Sequence, residues 1–327
     1  MRAPDFWRRR TVTPFVLLPA SWITSLVGAL RQRLARPWRA PVPVVCAGNL
    51  VAGGAGKTPL ALALGDRLKA SGVAVHFLTR GYGGREAGPL RVLPKEHTFR
   101  EVGDEALLLA QLAPTWVARD RRQGAAAAVE AGADILVMDD GFQNPSLEKD
   151  LSFIAVDGAY GFGNALVLPA GPLREPVARG AVRAAAAVLI GPDRAEVRAR
   201  LPRDLPILEA RLAPGPEGEL LAGQPRIAFA GIGRPGKFFE TLTALGVELV
   251  EAVPFPDHHV YTPDDIMWMA EIAATLGTKP ITTLKDFVRL PDEAKPMIDT
   301  LSVTLEFSDL AALDALLARV LEGEASI

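Results

Sequence analysis

Short apolar runs alternate along this chain with stretches whose apolar residues recur at helical spacing. Residues 73–78, 115–118, 135–138, 151–156 and 187–190 are almost wholly apolar, as strands buried on both faces of a parallel sheet are. Helical stretches at 104–112, 121–131 and 194–201 supply the crossovers that parallel neighbours require. Pro214-Gly215-Pro216-Glu217-Gly218-Glu219 reads as an exposed hairpin or hinge. Beyond it a second βα series begins, with strands at 226–230, 248–253 and 280–284. One of its helices opens at Thr262-Pro263-Asp264-Asp265, a side-chain cap and first-turn proline with acidic residues at the positive end of the dipole. The pattern predicts an α/β fold. A mostly parallel sheet flanked by helices occupies 41–213, a smaller α/β domain 214–327, and a separate segment 1–40.

That first segment has its own pattern. Residues 11–30 carry no charge, and as a helix they would run roughly 30 Å, nominally enough to span a bilayer. Pro14 and Pro19 are expected to interrupt it. After Pro19 the apolar residues Trp22, Ile23, Leu26, Val27, Leu30 and Leu34 fall on one stripe, opposite Ser21, Thr24, Ser25, Gly28 and Arg31. One-sided periodicity predicts a helix lying along a membrane interface; the alternatives are a stripe docked on the protein's own core and a cleaved signal peptide, which lacks a clean small-residue cleavage site here. Phe6, Trp7, Trp22 and Trp38 suit a headgroup boundary.

Charge sharpens this reading. Residues 1–40 hold Arg2, Arg8, Arg9, Arg10, Arg31, Arg33, Arg36 and Arg39 against Asp5 alone, so about +7 sits there and about −9 on the rest of a chain of net charge −2. An acidic body disfavours nucleic acid as a partner, and a basic apolar end favours an anionic membrane surface. The 327 residues are 49% hydrophobic, which excludes disorder as the dominant state. A single cysteine, Cys46, excludes an internal disulfide and points to a reducing compartment.

The clearest chemistry lies after the apolar run Pro43-Val44-Val45-Cys46-Ala47. Gly48-Asn49-Leu50-Val51-Ala52-Gly53-Gly54-Ala55-Gly56-Lys57-Thr58 follows directly, and residues 60–68 read as a helix. Strand, glycine-rich turn and helix in that order place backbone N–H groups and a helix N-terminus around a phosphate chain, with Lys57 reaching the terminal phosphates and Thr58 on Mg²⁺. The usual GxxxxGK[ST] pattern has glycine where this chain has Val51; Gly53 and Gly54 supply the flexibility instead. Downstream, Asp134-Ile135-Leu136-Val137-Met138-Asp139-Asp140-Gly141-Phe142-Gln143 is an apolar strand ending in carboxylates, as the metal-holding strand of such a fold does. Adjacent strand residues face opposite ways, so at most one of Asp139 and Asp140 faces the metal unless the strand has ended.

Other candidates sit at strand ends, where open α/β sheets gather ligands. Arg80-Gly81-Tyr82-Gly83-Gly84 follows the second strand, and Leu168-Pro169-Ala170-Gly171-Pro172-Leu173-Arg174-Glu175-Pro176 is a rigid loop. Arg119 and Arg121 follow a strand and either bind phosphate or are solvated. Gly103-Asp104-Glu105 opens a helix: its carboxylates either complement the dipole or include a general base. His258 and His259 lie in Phe255-Pro256-Asp257-His258-His259, beyond a strand of the second domain.

Taken in order, Gly48-Asn49-Leu50, Gly53-Gly54-Ala55-Gly56-Lys57-Thr58-Pro59, Arg80-Gly81-Tyr82-Gly83, Gly103-Asp104-Glu105, Asp139-Asp140-Gly141-Phe142-Gln143, Pro172-Leu173-Arg174-Glu175 and Asp257-His258 resemble the tetraacyldisaccharide 4′-kinase (lipid A 4′-kinase) family over nearly the whole chain. The resemblance implies a P-loop fold and transfer of the ATP γ-phosphoryl group to the 4′-hydroxyl of a tetraacylated disaccharide 1-phosphate, giving lipid IVA at the cytoplasmic face of the inner membrane, without an obligate protein partner. It implies that Gly53 to Pro59 hold ATP, with Lys57 also catalytic. It places Asp104 paired with His258 as the base, and Thr58, Asp139, Asp140 and Glu175 at Mg²⁺. Arg80, Tyr82, Glu105, Arg119 and Arg174 are its substrate-side candidates, and His259 a spectator. Asn144 departs from the family, which more often has histidine there. Two other classes compete: a membrane-associated P-loop ATPase switch, which carries a lysine where this chain has Ala52, and a nonenzymatic lipid-binding adaptor, which has no use for Lys57-Thr58 and an acidic strand end together.

Overall fold

The computed structural model describes residues 4–7 and 12–323. Arg2, Arg8, Arg9 and Arg10 of the basic end lie outside the described residues.

Among the described residues thirteen strands form two sheets. They are β1 (Val44–Gly48), β2 (Val75–Thr79), β3 (Leu90–Arg91), β4 (Thr115–Val117), β5 (Ile135–Asp139), β6 (Leu151–Asp157), β7 (Ala186–Ile190), β8 (Ile207–Pro214), β9 (Pro225–Ala230), β10 (Glu248–Pro254), β11 (Lys279–Thr283), β12 (Asp299–Leu301) and β13 (Val303–Phe307). The larger sheet runs β13-β8-β7-β6-β1-β5-β2-β4-β3. From β8 to β4 every pairing is parallel, and β3 joins β4 antiparallel. Every residue of β1, β2, β5, β6 and β7 is buried, which explains why these strands read as nearly continuous apolar runs. The order matters for function: β1 sits between β5 and β6, and its register sets Ala47 opposite Asp139. The glycine-rich turn after β1 and the acidic end of β5 are therefore neighbours.

The described chain divides into two compact units, one formed by Ala213–Thr304 with Thr98–Arg100 and the other by the remaining residues. The smaller unit has an all-parallel sheet, β10-β9-β11-β12, with apolar clusters around Phe238 and Leu242 and around Phe229, Tyr261 and Met269. The end of the chain, which the sequence pattern assigned to 214–327, belongs instead with the larger unit. Leu305 of β13 and Leu313, Leu317 and Val320 of the helix Leu310–Leu321 complete one of that unit's cores. The expected hinge at 214–219 is a packed 3₁₀ turn, Pro216–Leu221, with Gly218 and Leu221 buried. Gly215 N–H donates to Ser302 O at 2.9 Å, and Ser302 N–H donates to Glu217 Oε1 at 2.5 Å.

The N-terminal helix corrects a second expectation. It runs unbroken from Val12 to Leu34 through Pro19. Pro14 falls in the first turn, where N–H groups have no intrahelical partner, and Pro19 removes only one bond from an otherwise continuous ladder. The apolar stripe is not docked: Trp22 is 70% exposed and Leu26 69%. The opposite face is the one that packs. Ser21 is buried, its hydroxyl donating to Val167 O at 2.8 Å and accepting from Ala170 N–H at 3.1 Å. Arg179 donates to Ser25 O at 3.1 Å. Trp38 packs partly buried against the core rather than standing free, and Trp7 Nε1 donates to Pro169 O at 3.2 Å.

Candidate active site

The turn after β1 wraps toward the helix Lys57–Ala70, whose N-cap, Gly56, has φ 88°. A side chain there would be strained, and its Cβ would lie 2.5 Å from Ile190 Cδ1. The cap makes no side-chain hydrogen bond, so the first N–H groups of the helix face the turn as an anion site. Val51 fits the same geometry. It is buried and bridges antiparallel to Leu173, while Ala52 N–H donates to Pro172 O at 2.7 Å and Arg174 N–H to Leu50 O at 2.8 Å. This part of the turn is pinned as a strand against residues 172–174, and the left-handed flexibility moves to Gly53, at φ 114°.

Two adjacent carboxylates then separate. Asp139 is the last residue of β5, and Asp140 leaves the strand in the left-handed region at φ 55°. Thr58 Oγ1 donates to Asp139 Oδ2 at 2.9 Å in a fully buried contact, and Asp139 Oδ1 is buried without a hydrogen-bond partner. Burial, with the charge of Glu105 next, pushes Asp139 up to about 7, although Lys57 opposes the shift. Asp140 behaves oppositely. Burial alone would raise it, but Lys57 and Arg174 outweigh that and hold it below the usual carboxylate range. Arg174 grips Asp140 in bidentate fashion, at 2.6 and 3.1 Å. Lys57 Nζ lies 3.9 Å from Asp140 Oδ2 and 3.4 Å from Gly53 O. A buried carboxylate oxygen with no partner beside a hydroxyl is a donor set suited to a hard divalent cation.

A third layer holds these groups. Gln143 Nε2 donates to Asn49 O at 2.8 Å and to Glu175 Oε1 at 3.1 Å. Glu175 is buried and accepts from Arg183 Nη2 at 2.6 Å, and the Arg183 guanidinium lies 4.8 Å over the Phe142 ring. Glu175 thus has a neutralising partner in Arg183 and a neutral donor in Gln143. Sequence reasoning missed Arg183, although an arginine inside Gly180-Ala181-Val182-Arg183-Ala184-Ala185 was a signal. Arg121 is buried rather than solvated, and burial, reinforced by Arg80, lowers it to about 10. Asn144 has a local job: its Oδ1 accepts from Ser146 N–H and Oγ at 2.9 and 2.7 Å.

The remaining candidates are more dispersed. Asp104 is buried at the start of the helix Asp104–Leu109, its Oδ1 accepting Glu105 N–H at 2.9 Å. Arg80 is exposed and Tyr82 is 63% exposed. Arg119 is also exposed and donates to Arg85 O at 3.1 Å, bracing the turn before β3. In the smaller unit His258 is left-handed at φ 58°, with Nε2 3.9 Å from Asp257 Oδ1. His259 has structural contacts there: its ring stacks on Phe255 and its Nε2 lies 3.0 Å from Asp265 Oδ2.

Known proteins resemble this chain in sequence and fold. The profile of the family described as tetraacyldisaccharide-1-P 4′-kinase matches residues 13–322. A tetraacyldisaccharide 4′-kinase of Gluconacetobacter diazotrophicus is 53% identical over 328 residues, covering 100% of both chains. One of Rhodospirillum centenum is 51% identical, covering 99% of this chain and 98% of the relative. The crystal structure of LpxK from Aquifex aeolicus in complex with ATP superposes with a TM-score of 0.76 at 28% identity, over 94% of this chain and 99% of that one. With a profile match over residues 13–322 and relatives more than half identical over nearly their whole length, this chain belongs to the tetraacyldisaccharide-1-phosphate 4′-kinase family.

Proposed function

We propose that this protein transfers the γ-phosphoryl group of ATP to the 4′-hydroxyl of a tetraacylated disaccharide 1-phosphate, forming lipid IVA at the cytoplasmic face of the inner membrane. The observation that carries the reading is the buried Thr58–Asp139 pair beside Lys57 at the mouth of a phosphate turn, in a chain whose relatives are named for this reaction.

Each residue has a physical task. The uncapped amides of the first turn of the helix Lys57–Ala70 cradle phosphate oxygens, and Lys57 offsets charge on the group in transit. Asp140, kept ionised by Arg174 and Lys57, holds Lys57 toward the phosphate chain. Thr58 and Asp139 would hold Mg²⁺, which supplies charge neutralisation on the nucleotide when bound. Asp104 takes the proton of the acceptor hydroxyl, and His258 has its own role in phosphoryl transfer. Glu175 acts through Gln143 and Arg183 to steady the turn. Arg80, Tyr82, Glu105 and Arg119 remain on the substrate side.

The membrane assignment rests on the helix Val12–Leu34, long and apolar enough to cross a bilayer by length and composition. Its one-sided stripe, with Ser21 and Ser25 facing the protein, favours a helix lying in the interface. The ATPase-switch alternative lacks its lysine, since the position is Ala52.

Incubation with ATP, Mg²⁺ and the disaccharide 1-phosphate, followed by mass spectrometry of the lipid, tests the reading. One added phosphate on the distal sugar is expected. ATP hydrolysis with unchanged lipid would overturn it.

A further inference from the structure

The loop that carries His258 is held by a buried ion pair for which phosphoryl transfer itself has no use. Arg289 and Asp286 are 2% and 0% exposed, with Arg289 Nη2 2.6 Å from Asp286 Oδ1. Such a pair is weak evidence for stability, because desolvation offsets its attraction. What it grips is more telling. Asp286 Oδ1 accepts the Gly231 N–H at 2.8 Å and the Tyr261 hydroxyl at 2.7 Å, while Oδ2 accepts the Thr283 hydroxyl at 2.5 Å. Arg289 Nη2 donates to Gly231 O at 2.9 Å, and Nη1 donates to His259 O at 3.0 Å. The N–H and C=O of Gly231 are therefore both held by the ion pair.

Gly231 passes that constraint on. Its carbonyl also accepts the N–H of His258 at 3.0 Å, and His258 sits at φ 58°, a region that L-residues keep only when their surroundings impose it. Gly231 is closely surrounded: a Cβ would lie 3.0 Å from Pro256 O and 3.1 Å from both Asp286 Oδ1 and His259 Cβ, so these neighbours would have to give way to a side chain. The rest of the loop is braced by packing, with Phe229, Phe255, His259 and Tyr261 in mutual edge or stacked contact.

We infer that Asp286 and Arg289 are positioning residues for His258: by clamping the Gly231 peptide they fix the carbonyl that holds His258 in its left-handed conformation. The inference rests on the reading that His258 serves in phosphoryl transfer, and it adds the device that presents it.

The test uses the full-length protein and two variants. Asp286→Asn keeps the shape and removes the charge; Tyr261→Phe removes one donor to the same carboxylate and decides the matter if the first variant does not fold. Asp286→Asn should lower kcat roughly 10- to 100-fold, the scale of a misplaced catalytic group, and Tyr261→Phe less, with KM for ATP unchanged. In a His258→Ala background neither should lower kcat further. In the nucleotide-free protein, the His258 amide should lose hydrogen-exchange protection while Ala228 in β9 keeps its own. Full kcat in both variants, equal losses with and without His258, or an equal loss of protection at His258 and Ala228 would overturn the positioning role. If His258→Ala alone kept full kcat, the role given to His258 in the reaction would fall, and the exchange measurement would still decide whether the clamp sets its backbone.

Discussion

The carboxyl ends of β1 and β5 bury charge, whereas the N-terminal helix exposes apolar surface. Asp139, Glu175 and Arg121 are at most 5% exposed, while Trp22, Leu26 and Leu34 are each more than two-thirds exposed. Both regions invert the ordinary partition of residue types. At the strand ends the inversion shifts titration: Asp139 rises and its neighbour Asp140 falls, and two adjacent carboxylates acquire different chemistry. In the helix it leaves a free apolar stripe, because Ser21 and Ser25 already occupy the face toward the protein. The helix Leu310–Leu321 is a control for the second case, being similarly apolar but burying Leu313, Leu317 and Val320. Apolar periodicity alone does not say what a stripe meets.

The largest effect expected from breaking the first inversion is at Lys57. Lys57→Ala should reduce phosphoryl transfer by about 10³ or more while the protein still folds, since charge on the transferred group is left unmatched. Steady-state kinetics with a thermal melt checks both, and near-normal turnover would remove the assignment of the turn.

Next comes pH. The folded pKa of Asp139, about 7, lies above its unfolded value of about 4. Between the two the folded state binds a proton that the unfolded state does not, so this group's contribution to stability falls as pH rises through that window and is constant above it. In metal- and nucleotide-free protein, Asp139→Asn should remove this decline and gain on the order of 2–4 kcal/mol relative to wild type at pH 8. Denaturant titrations at pH 5 and pH 8 would show it; parallel curves for the two proteins would mean that Asp139 is not penalised.

The helix offers a smaller effect. Leu26→Ser should weaken partition onto anionic vesicles by roughly 10- to 100-fold, the worth of burying one large side chain, and leave ATP binding unchanged. High salt should weaken binding of the intact chain only in part, because apolar burial is not screened. Smallest is Ser21→Ala, which removes the donor to Val167 O and the acceptor for Ala170 N–H. A cost of about 1–2 kcal/mol is expected, read as a lower Tm with vesicle affinity unchanged. A Leu26 variant that lost stability, or a Ser21 variant that lost vesicle affinity, would reverse the two faces.

Local chemistry made much of this protein legible in its sequence. The buried strands announced themselves because a strand covered on both faces is built mostly from apolar residues, and the phosphate turn because glycine, lysine and threonine at that spacing have a mechanism. The side-chain cap at Thr262 was visible for the same reason and is present, and the structure adds that Asp265 closes it into a capping box. What depended on distant residues was not visible. That Val51 tolerates its position follows from Leu173, which lies 122 positions away along the chain. Asp139 and Asp140 part company only because β5 ends between them and Arg174 arrives from another loop. The last strand and helix join the larger sheet through contacts of Leu305 and Leu313 with residues far earlier in the chain. Periodicity located the stripe of the N-terminal helix, but its outward direction was decided by Val167 and Ala170 taking Ser21, a choice made by long-range hydrogen bonds that leave no period in the sequence.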